Sequence, residues 1–314
     1  MNNFKKVGLT ALAGALVSFS ANAVEMSVSG GASIGFTGEE KVDTGNGWSM
    51  SDGLTFTGSG ELDNGWNVSV KQIIDSSDGV ANTIMDTRIL TIDMGDQGTL
   101  TFSGTGGSSV LNAIDDVTPT AYEESWDIVT SASAIPGGTG GDNMFHYSNS
   151  SLMDGVTLAA SYTPSDEATV VESSADYGIT YTGIDGMTLA AGVGSTATGG
   201  AAEVESKTYG VKYATGGFTF GLQMTDVEFE GTTQDEDGVY MGVTYNVNDD
   251  FTIGYLRQET DFSGNNADEE HSGIQASYSM GSISFSGRIS KVDNMGGSAT
   301  ASDEDKHVTM SIAF

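Results

Sequence analysis

Every second residue is apolar in the carboxyl-terminal run Val308-Thr309-Met310-Ser311-Ile312-Ala313-Phe314. A period of two indicates a β-strand with one apolar face. A soluble domain gains little from a terminal strand whose apolar face continues to its last residue. A barrel in a membrane must pair its last strand with its first to remove both edges. The run therefore predicts the closing strand of a membrane barrel, with one face toward lipid.

The amino terminus has the organisation of a secretory signal. Lys5 and Lys6 precede an apolar run from Val7 to Ala21, and Ala21-Asn22-Ala23 supplies the small residues of a cleavage site. The run is shorter than the about 20 residues that a transmembrane helix needs. We expect a Sec-type signal peptide at residues 1–23 and a mature barrel at residues 24–314; the alternative is an uncleaved amino-terminal anchor.

Composition limits the remaining possibilities. The chain has 44 glycines, 3 prolines and no cysteine, which excludes disulfides and favours strands with glycine in turns and along crowded walls. No later segment is apolar over the length of a transmembrane helix, so strands must make any membrane span. Cleavage of the signal peptide would remove Lys5 and Lys6 and take the formal net charge from −32 to −34. Nucleic acid is disfavoured as a partner, because binding phosphates requires clustered basic residues.

The period of two continues along the mature chain and predicts sixteen strands. In the eleventh strand, for example, Phe218, Phe220 and Leu222 share one face, and small or polar residues such as Gln223 form the other, which suits a wet lumen. The predicted ranges are 25–37, 52–61, 66–75, 83–93, 98–104, 142–149, 155–163, 174–182, 186–195, 205–214, 217–229, 237–247, 250–260, 270–280, 282–292 and 304–314.

The connections between these strands alternate in length. Tight turns such as Asp63-Asn64-Gly65 and Ile184-Asp185-Gly186 follow the even strands, whereas longer polar stretches such as Pro164–Ser173 follow the odd strands. Short turns on one rim and long loops on the other are typical of outer-membrane barrels. A β-sandwich or a solenoid gives no reason for this alternation. The sequence therefore predicts an all-β fold, a 16-stranded antiparallel transmembrane β-barrel.

One connection is much longer than the others. About 37 residues, from Thr105 to Gly141, follow the fifth strand on the long-loop side. Loops of this length are usually functional or disordered. Apolar residues mixed with carboxylates predict a segment that packs against a wall on one side and faces water on the other. The five carboxylates are Asp115, Asp116, Glu123, Glu124 and Asp127.

The signal peptide, sixteen strands, terminal Phe314 and long acidic third loop resemble the general diffusion porins of Gram-negative bacteria, especially those of alphaproteobacteria. The likeness implies that the third loop folds into the barrel and narrows it, with acidic loop residues facing basic residues of the wall. It also implies a homotrimer. On the wall we expect Lys71, which alternates onto the lumenal face, and Arg88 on the next strand. The pore-constriction residues expected from this resemblance are Asp115, Asp116, Glu123, Glu124, Asp127, Lys71 and Arg88.

The expected function is a water-filled outer-membrane channel for passive diffusion of small hydrophilic solutes and ions. Carboxylates along a narrow wet passage attract cations and repel anions, so we expect a cation preference. The alternative is an adhesion or binding barrel with a plugged lumen. A substrate-selective anion channel is disfavoured, because phosphate pores need rings of arginine or lysine.

An enzyme is not expected. His146, His271 and His307 lie on separate strands without motif spacing, and we expect lumen-facing polar positions for His146 and His307. We expect no cofactor. A series of acids before Gly231 is similar to a calcium loop, but strands flank it where helices should, so only weak surface binding of Ca²⁺ is left open. The expected partners are solutes, ions, outer-membrane lipid and further copies of the chain.

Overall fold

A computed structural model describes residues 25–39, 47–75, 85–115, 117–126, 141–165, 173–197, 203–230, 235–264 and 267–314. The predicted signal peptide lies outside these residues. The described residues form sixteen strands and one short α-helix. They are β1 (Glu25–Glu39), β2 (Trp48–Glu61), β3 (Asn67–Asp75), β4 (Met85–Asp93), β5 (Thr99–Thr105), α1 (Val110–Asp115), β6 (Met144–Met153), β7 (Val156–Thr163), β8 (Ser174–Ile184), β9 (Met187–Ala197), β10 (Glu203–Thr215), β11 (Phe218–Phe229), β12 (Glu236–Asn248), β13 (Phe251–Phe262), β14 (Glu269–Met280), β15 (Ile283–Asp293) and β16 (Ser302–Ala313).

Each strand pairs antiparallel with its neighbours in the chain, and β16 pairs with β1, so the sheet closes into a barrel. The predicted 16-stranded antiparallel barrel is confirmed. Closure extends to the last residue: the backbone N–H of Phe314 donates to the carbonyl of Gly30 and the N–H of Gly30 donates to the carbonyl of Phe314, both at 2.8 Å. The Phe314 ring lies against Gly30, where an added β-carbon would be 3.0 Å from it. The terminal strand therefore leaves no open edge.

Tight turns lie at one rim, as the sequence predicts. Gly155 and Gly186 follow β6 and β8 with φ of 71° and 70°, a conformation that glycine adopts without strain. The longer connections follow the odd strands at the opposite rim, the long-loop rim. The alternation of connection lengths therefore follows from sixteen up-and-down strands.

The two faces of the wall differ as the period of two requires. On β11 the outward side chains of Phe218, Phe220, Leu222 and Met224 are 39–47% exposed. Gln223, on the inner face, is 1% exposed and donates to the hydroxyl of Thr208 at 3.0 Å. It is enclosed by neighbouring side chains instead of lying in open water, which corrects the expectation for this position. The residues predicted on the outer face of β11 and β12 share that face: Phe218, Phe220, Leu222, Met224, Val239, Met241 and Val243.

Charged residues occupy the outer face near the long-loop rim, beyond the apolar positions. Lys207 on β10 lies 3.2 Å from Asp226 and 2.6 Å from Glu228, both on β11. Arg257 on β13 lies 3.1 Å from Glu270 on β14. The outer wall therefore changes from apolar to ion-paired along its height. Among the helices that the structure describes, none is long and apolar enough to cross a membrane.

Phe314 offers a test of closure. Replacing Phe314 with Asp should reduce the amount of assembled barrel, because the change puts a charge on the outer face of the closing strand. The measurement is the amount of heat-modifiable barrel in the outer-membrane fraction by electrophoresis. Phe314→Tyr keeps an aromatic ring and should assemble as the unmodified chain does. Equal amounts for the Asp and Tyr variants would contradict the role given to the terminal residue.

A pair of substitutions on β11 tests the two faces. Arginine at Leu222 should destabilise the barrel by about 2–4 kcal/mol, the cost of a cation on the lipid face near the midplane. Arginine at Thr219 should cost less, because Thr219 is on the inner face and lines an open volume of the lumen. Urea unfolding of both variants in detergent or lipid measures the difference. Equal destabilisation would mean that the assignment of faces is wrong.

Candidate functional site

The connection between β5 and β6 leaves the wall through a narrow neck. The N–H of Gly107 donates to the carbonyl of Gly141 at 3.0 Å, and the N–H of Gly106 donates to the carboxylate of Asp142 at 3.2 Å. The chain therefore leaves and returns at one point. The described residues between these glycines, 108–115 and 117–126, are called the third-loop segment below.

The third-loop segment begins with α1, which packs against the inner face of the barrel. The N–H of Val110 donates to the hydroxyl of Ser161 on β7 at 3.0 Å, and this bond fixes the start of the helix. Val110, Leu111 and Ile114 are nearly fully buried, whereas Asn112 is exposed. The helix therefore buries one apolar side against the wall and presents its other side to the lumen.

The wall beneath the third-loop segment carries glycine on seven successive strands. An added β-carbon would lie 2.9 Å from Leu111 at Gly192 and 2.7 Å from Val117 at Gly210, closer than packed atoms approach. The loop backbone can approach the sheet only because these side chains are missing. We call this row the glycine track; its members are Gly178, Gly192, Gly210, Gly221, Gly242, Gly254 and Gly273.

Beyond the helix, the third-loop segment follows the glycine track around the inner wall. Pro119 contacts the positions of Gly221 and Gly242, Ala121 that of Gly254, and Ser125 that of Gly273. These contacts carry the segment from β8 to β14. They are contacts with the inner face, because track glycines alternate with outward side chains: Gly178, for example, lies between Tyr177 and Ile179, which are 59% and 44% exposed.

The far end of the segment is held by hydrogen bonds to β14 and β16. The N–H groups of Ala121 and Tyr122 both donate to Oε1 of Gln275, at 3.0 and 3.1 Å. The Tyr122 hydroxyl hydrogen-bonds with Thr309 at 2.7 Å and with the Nδ1 atom of His307 at 3.2 Å. The segment is thus tied to the wall at both ends, through Val110 and through Tyr122.

Arg288 on β15 completes this attachment. Its guanidinium donates to the carbonyl of Glu124 at 2.9 Å and lies 3.1 Å from the carboxylate of Glu123. The same guanidinium lies 3.2 Å from the carboxylate of Asp305, which is 2% exposed. One arginine therefore connects a loop acid, a loop carbonyl and a wall acid. Such charge-assisted hydrogen bonds are stronger than neutral ones.

Tyr122, Glu123 and Glu124 are called the loop tip below. Their surroundings shift the pKa values of two of these side chains. Hydrogen bonding with His307 lowers the pKa of Glu123, burial opposes the shift, and the positive charge of Arg288 lowers it further. Glu123 therefore stays ionised at neutral pH. Burial raises the pKa of Tyr122, so its hydroxyl stays protonated and available for hydrogen bonding.

The predicted site residues are only partly brought together. Glu123 and Glu124 lie at the loop tip, and Asp115 is the last residue of α1. Asp116 and Asp127 lie outside the described residues. Lys71 is on the inner face of β3, as predicted, since it alternates with the exposed Val70.

The prediction for Arg88 is wrong. In register, Ile89 pairs with Lys71 and Arg88 pairs with Gln72, so Arg88 shares the outer face with Leu90. Its guanidinium lies over Gly104, 3.2 Å from an added β-carbon there. The inner-face residues of both β3 and β4 have odd numbers, so Arg88 cannot face the lumen. Counting alternate residues along β4 could have shown this from the sequence. Among the described residues, the basic wall partners of Glu123 are instead Arg288 and His307.

The sequence interpretation missed Arg288 and Gln275 as partners of the loop. Alternation places both side chains on the inner face. Which inner residues meet the loop depends on the path of the loop, and that path follows the glycine track. One inward glycine on each of seven successive strands was the available signal.

Two open volumes lie along the described part of the inner wall. One, of about 930 Å³, lies beneath the loop between Thr118–Glu124 and the inner faces of β8–β12. A second, of about 920 Å³, lies against β1–β3 and β14–β16 and is lined mainly by serine and glycine. Hydroxyl groups line part of both volumes, and they can replace water molecules in the hydration shell of a solute. Within the described ranges, no three His, Cys, Asp or Glu side chains are placed to hold a metal ion together.

Comparisons with known proteins agree with the barrel fold. The model of a family described as Gram-negative porin matches residues 8–308. A porin structure refined at 1.8 Å resolution aligns over 92% of this chain and 100% of its own, with 18% identity and a TM-score of 0.70. The trimer form of OmpT, an outer membrane protein of Vibrio cholerae, aligns over 93% and 100%, with 15% identity and a TM-score of 0.67.

A further similar structure is that of a mutant of Rh. blastica porin, which aligns over 92% of this chain and 100% of its own, with 17% identity and a TM-score of 0.65. At these identities the likeness to solved structures concerns the fold. Comparison with curated proteins gives no match.

Two glycine substitutions test whether the track positions the loop. Gly210→Ala adds a carbon that would lie 2.7 Å from Val117, so the loop must move toward the lumen and single-channel conductance should fall. Gly53→Ala is the matched control: this inner-face glycine of β2 has its nearest contacts at 3.6 Å, and its conductance should be unchanged. Planar-bilayer recordings measure both. Equal conductance for the two variants would show that the track does not set the position of the loop.

Proposed function

This chain belongs to the Gram-negative porin family, and from that premise we propose a water-filled channel for passive diffusion of small hydrophilic solutes and ions, with a preference for cations. The family and fold are those of outer-membrane channels. The observation that carries the proposal is the position of the third-loop segment along the inner wall, with Glu123 and Glu124 at its far end. An acidic segment across a wet lumen raises the local concentration of cations and lowers that of anions.

Local pairing reduces the contribution of Glu123 to this preference. Glu123 is paired with Arg288, so much of its charge is compensated locally. Arg288 also donates to the backbone carbonyl of Glu124. Asp115 at the end of α1, with Asp116 and Asp127, would add to the negative charge. The preference should therefore be moderate and sensitive to salt.

A plugged adhesion barrel is the alternative. The open volumes of about 930 and 920 Å³ on the inner wall count against a filled lumen. An adhesion barrel would also give no reason for a loop tied to the inner wall at both ends. Planar-bilayer conductance separates the two, since a plugged barrel should pass almost no current.

Assembly into a homotrimer is part of the proposal. A trimer form is known for OmpT of Vibrio cholerae, which shares this fold. Arg88 and Gln72 face outward side by side on β4 and β3. A charge on the lipid face is unfavourable, and a neighbouring copy would cover it. Export after cleavage behind Ala23 completes the proposed route to the outer membrane.

Neutralising the loop tip tests the cation preference. The double variant Glu123→Gln, Glu124→Gln should lower the cation-to-anion permeability ratio obtained from reversal potentials across a KCl gradient. The decrease should be larger at about 0.15 M salt, where the Debye length is about 8 Å, than at 1 M, where it is about 3 Å.

The matched control for this test neutralises two exposed acids of the connection between β11 and β12, Glu230→Gln and Asp235→Asn. These acids lie at the long-loop rim, away from the third-loop segment, so their loss should change the ratio less. A larger change for the control than for the loop tip would contradict a constriction at the third loop.

A further inference from the structure

The connection between β15 and β16, residues 294–301, folds back over the barrel instead of standing above its own two strands. Its short helical turn, Met295–Gly297, lies against β13 and β14. The side-chain amide of Asn294 donates to the carbonyl of Asp268, the residue before β14, at 2.8 Å. The connection therefore reaches past β14 toward β13. It is called the strap below.

The strap keeps its compact shape through hydrogen bonds within itself. The N–H of Met295 donates to the carbonyl of Ala301 at 2.9 Å, and the N–H of Gly297 donates to the carbonyl of Asn294 at 2.8 Å. Asn294, Gly296 and Gly297 have φ of 56°, 61° and 75°, in the left-handed region that glycine and asparagine tolerate. The sequence of the strap thus favours this tight path.

Glu269, the first residue of β14, holds the strap from the wall. One carboxylate oxygen, Oε2, accepts the N–H of Gly296 at 2.6 Å. The other oxygen, Oε1, lies 2.9 Å from the Nε2 atom of His271. The imidazole therefore orients the carboxylate so that its second oxygen points at the strap. A hydrogen bond from a backbone N–H to a carboxylate is charge-assisted and roughly twice as strong as a neutral one.

This attachment lies on the inner face of the wall. Glu270, the next residue, faces outward, where its carboxylate lies 3.1 Å from Arg257. Alternation therefore turns Glu269 and His271 toward the lumen. Both side chains, and that of Thr260 beside Glu269 on β13, are 0% exposed. Their burial and the contact with Gly296 indicate that the strap closes over part of the long-loop rim.

We propose that the strap narrows the long-loop mouth of the channel and that Glu269 is the positioning residue that fastens it. The proposal rests on the proposed channel function and concerns which solutes enter. A narrower mouth retards large hydrophilic solutes more than small ones, so the strap selects uncharged solutes such as sugars by size.

The strap and the third-loop segment are attached at different heights of the same strand. Gln275, which holds Ala121 and Tyr122 of the third-loop segment, lies six residues farther along β14 than Glu269. A solute from the long-loop side therefore meets the strap before it meets the third loop. The first acts on size alone, whereas the second also acts on charge.

Liposome swelling with uncharged sugars tests the proposal, because a change of protein charge has little effect on such solutes. Liposomes that contain the full-length channel are swollen in arabinose, a monosaccharide, or in lactose, a disaccharide, and the lactose-to-arabinose ratio of the rates is measured. Glu269→Gln removes the charge and keeps the shape of the side chain. This variant should raise the ratio, because the strap is then held less firmly.

A strapless variant tests the same idea with Glu269 intact. An Asn-Gly dipeptide replaces residues 294–301 and connects Asp293 to Ser302, the last pair of the β15–β16 ladder, through a two-residue hairpin. The barrel keeps all its strand pairs, and the lactose-to-arabinose ratio should rise at least as much as in Glu269→Gln.

A spin label reports on the strap itself. The chain has no cysteine, so Ser298→Cys, in an exposed part of the strap, provides a unique attachment site. Glu269→Gln should lower the ratio of fastened to released strap roughly five-fold, the difference between a charged and a neutral hydrogen bond. Electron paramagnetic resonance of the labelled protein, with and without Glu269→Gln, measures this ratio.

Glu270→Gln is the matched control, because it removes the neighbouring carboxylate from the outer face and should change neither readout. An unchanged sugar ratio in the strapless variant, with normal arabinose uptake, would overturn the proposal and leave the channel function intact. A label that is equally immobile with and without Glu269→Gln would overturn the role of Glu269. Failure of the unmodified protein to admit arabinose would overturn the proposed function itself.

Discussion

Closure of the backbone hydrogen bonding is the constraint on which the rest of this protein depends. Within a membrane an unpaired N–H or C=O group has no water to bind, so a sheet can cross only if it has no edge. The β1–β16 pairing supplies the closing ladder, and the mutual hydrogen bonds of Gly30 and Phe314 continue it to the last residue. Once the sheet is closed, the period of two divides every strand into an outer apolar face and an inner small or polar face.

Closure of the barrel also encloses a wide polar interior. The third-loop segment occupies part of this interior by packing along the glycine track. A loop that carries the apolar side chains of α1 is stable inside a polar lumen only if those side chains reach the wall at packing distance. Missing side chains at Gly192 and Gly210 allow Leu111, Ile114 and Val117 to do so. The polar attachments at Val110 and Tyr122 then fix the ends of the segment. The free width of the passage is therefore set by packing and hydrogen bonding together.

The sequence predicts the wall well and the site less well, for a physical reason. Alternation is a local property, so it identifies all sixteen strands and the outward positions of Leu222 and Met241 without knowledge of neighbours. A loop inside a barrel makes its contacts at long range: Tyr122 meets Thr309, and Glu123 meets Arg288. The acids of the loop are evident from composition, but their basic partners are chosen by the path of the loop. The error at Arg88 has a different origin. The register of β3 with β4 puts Arg88 on the face opposite Lys71, and counting residues across this strand pair would have avoided the error.

Register also determines how the charge of this protein is distributed. The chain has 43 acidic and 11 basic residues, which predicts an acidic surface but not the charge inside the passage. Outer-face lysines such as Lys207 and Lys291 pair in register with Asp226 and Glu304. Lys212, in contrast, has threonine and glycine as its cross-strand neighbours. An overall acidic composition is therefore compatible with an inner-face cation that has no carboxylate at its cross-strand positions. Net charge is a sum over the chain, whereas the potential within the passage depends on which residues the ladder places side by side.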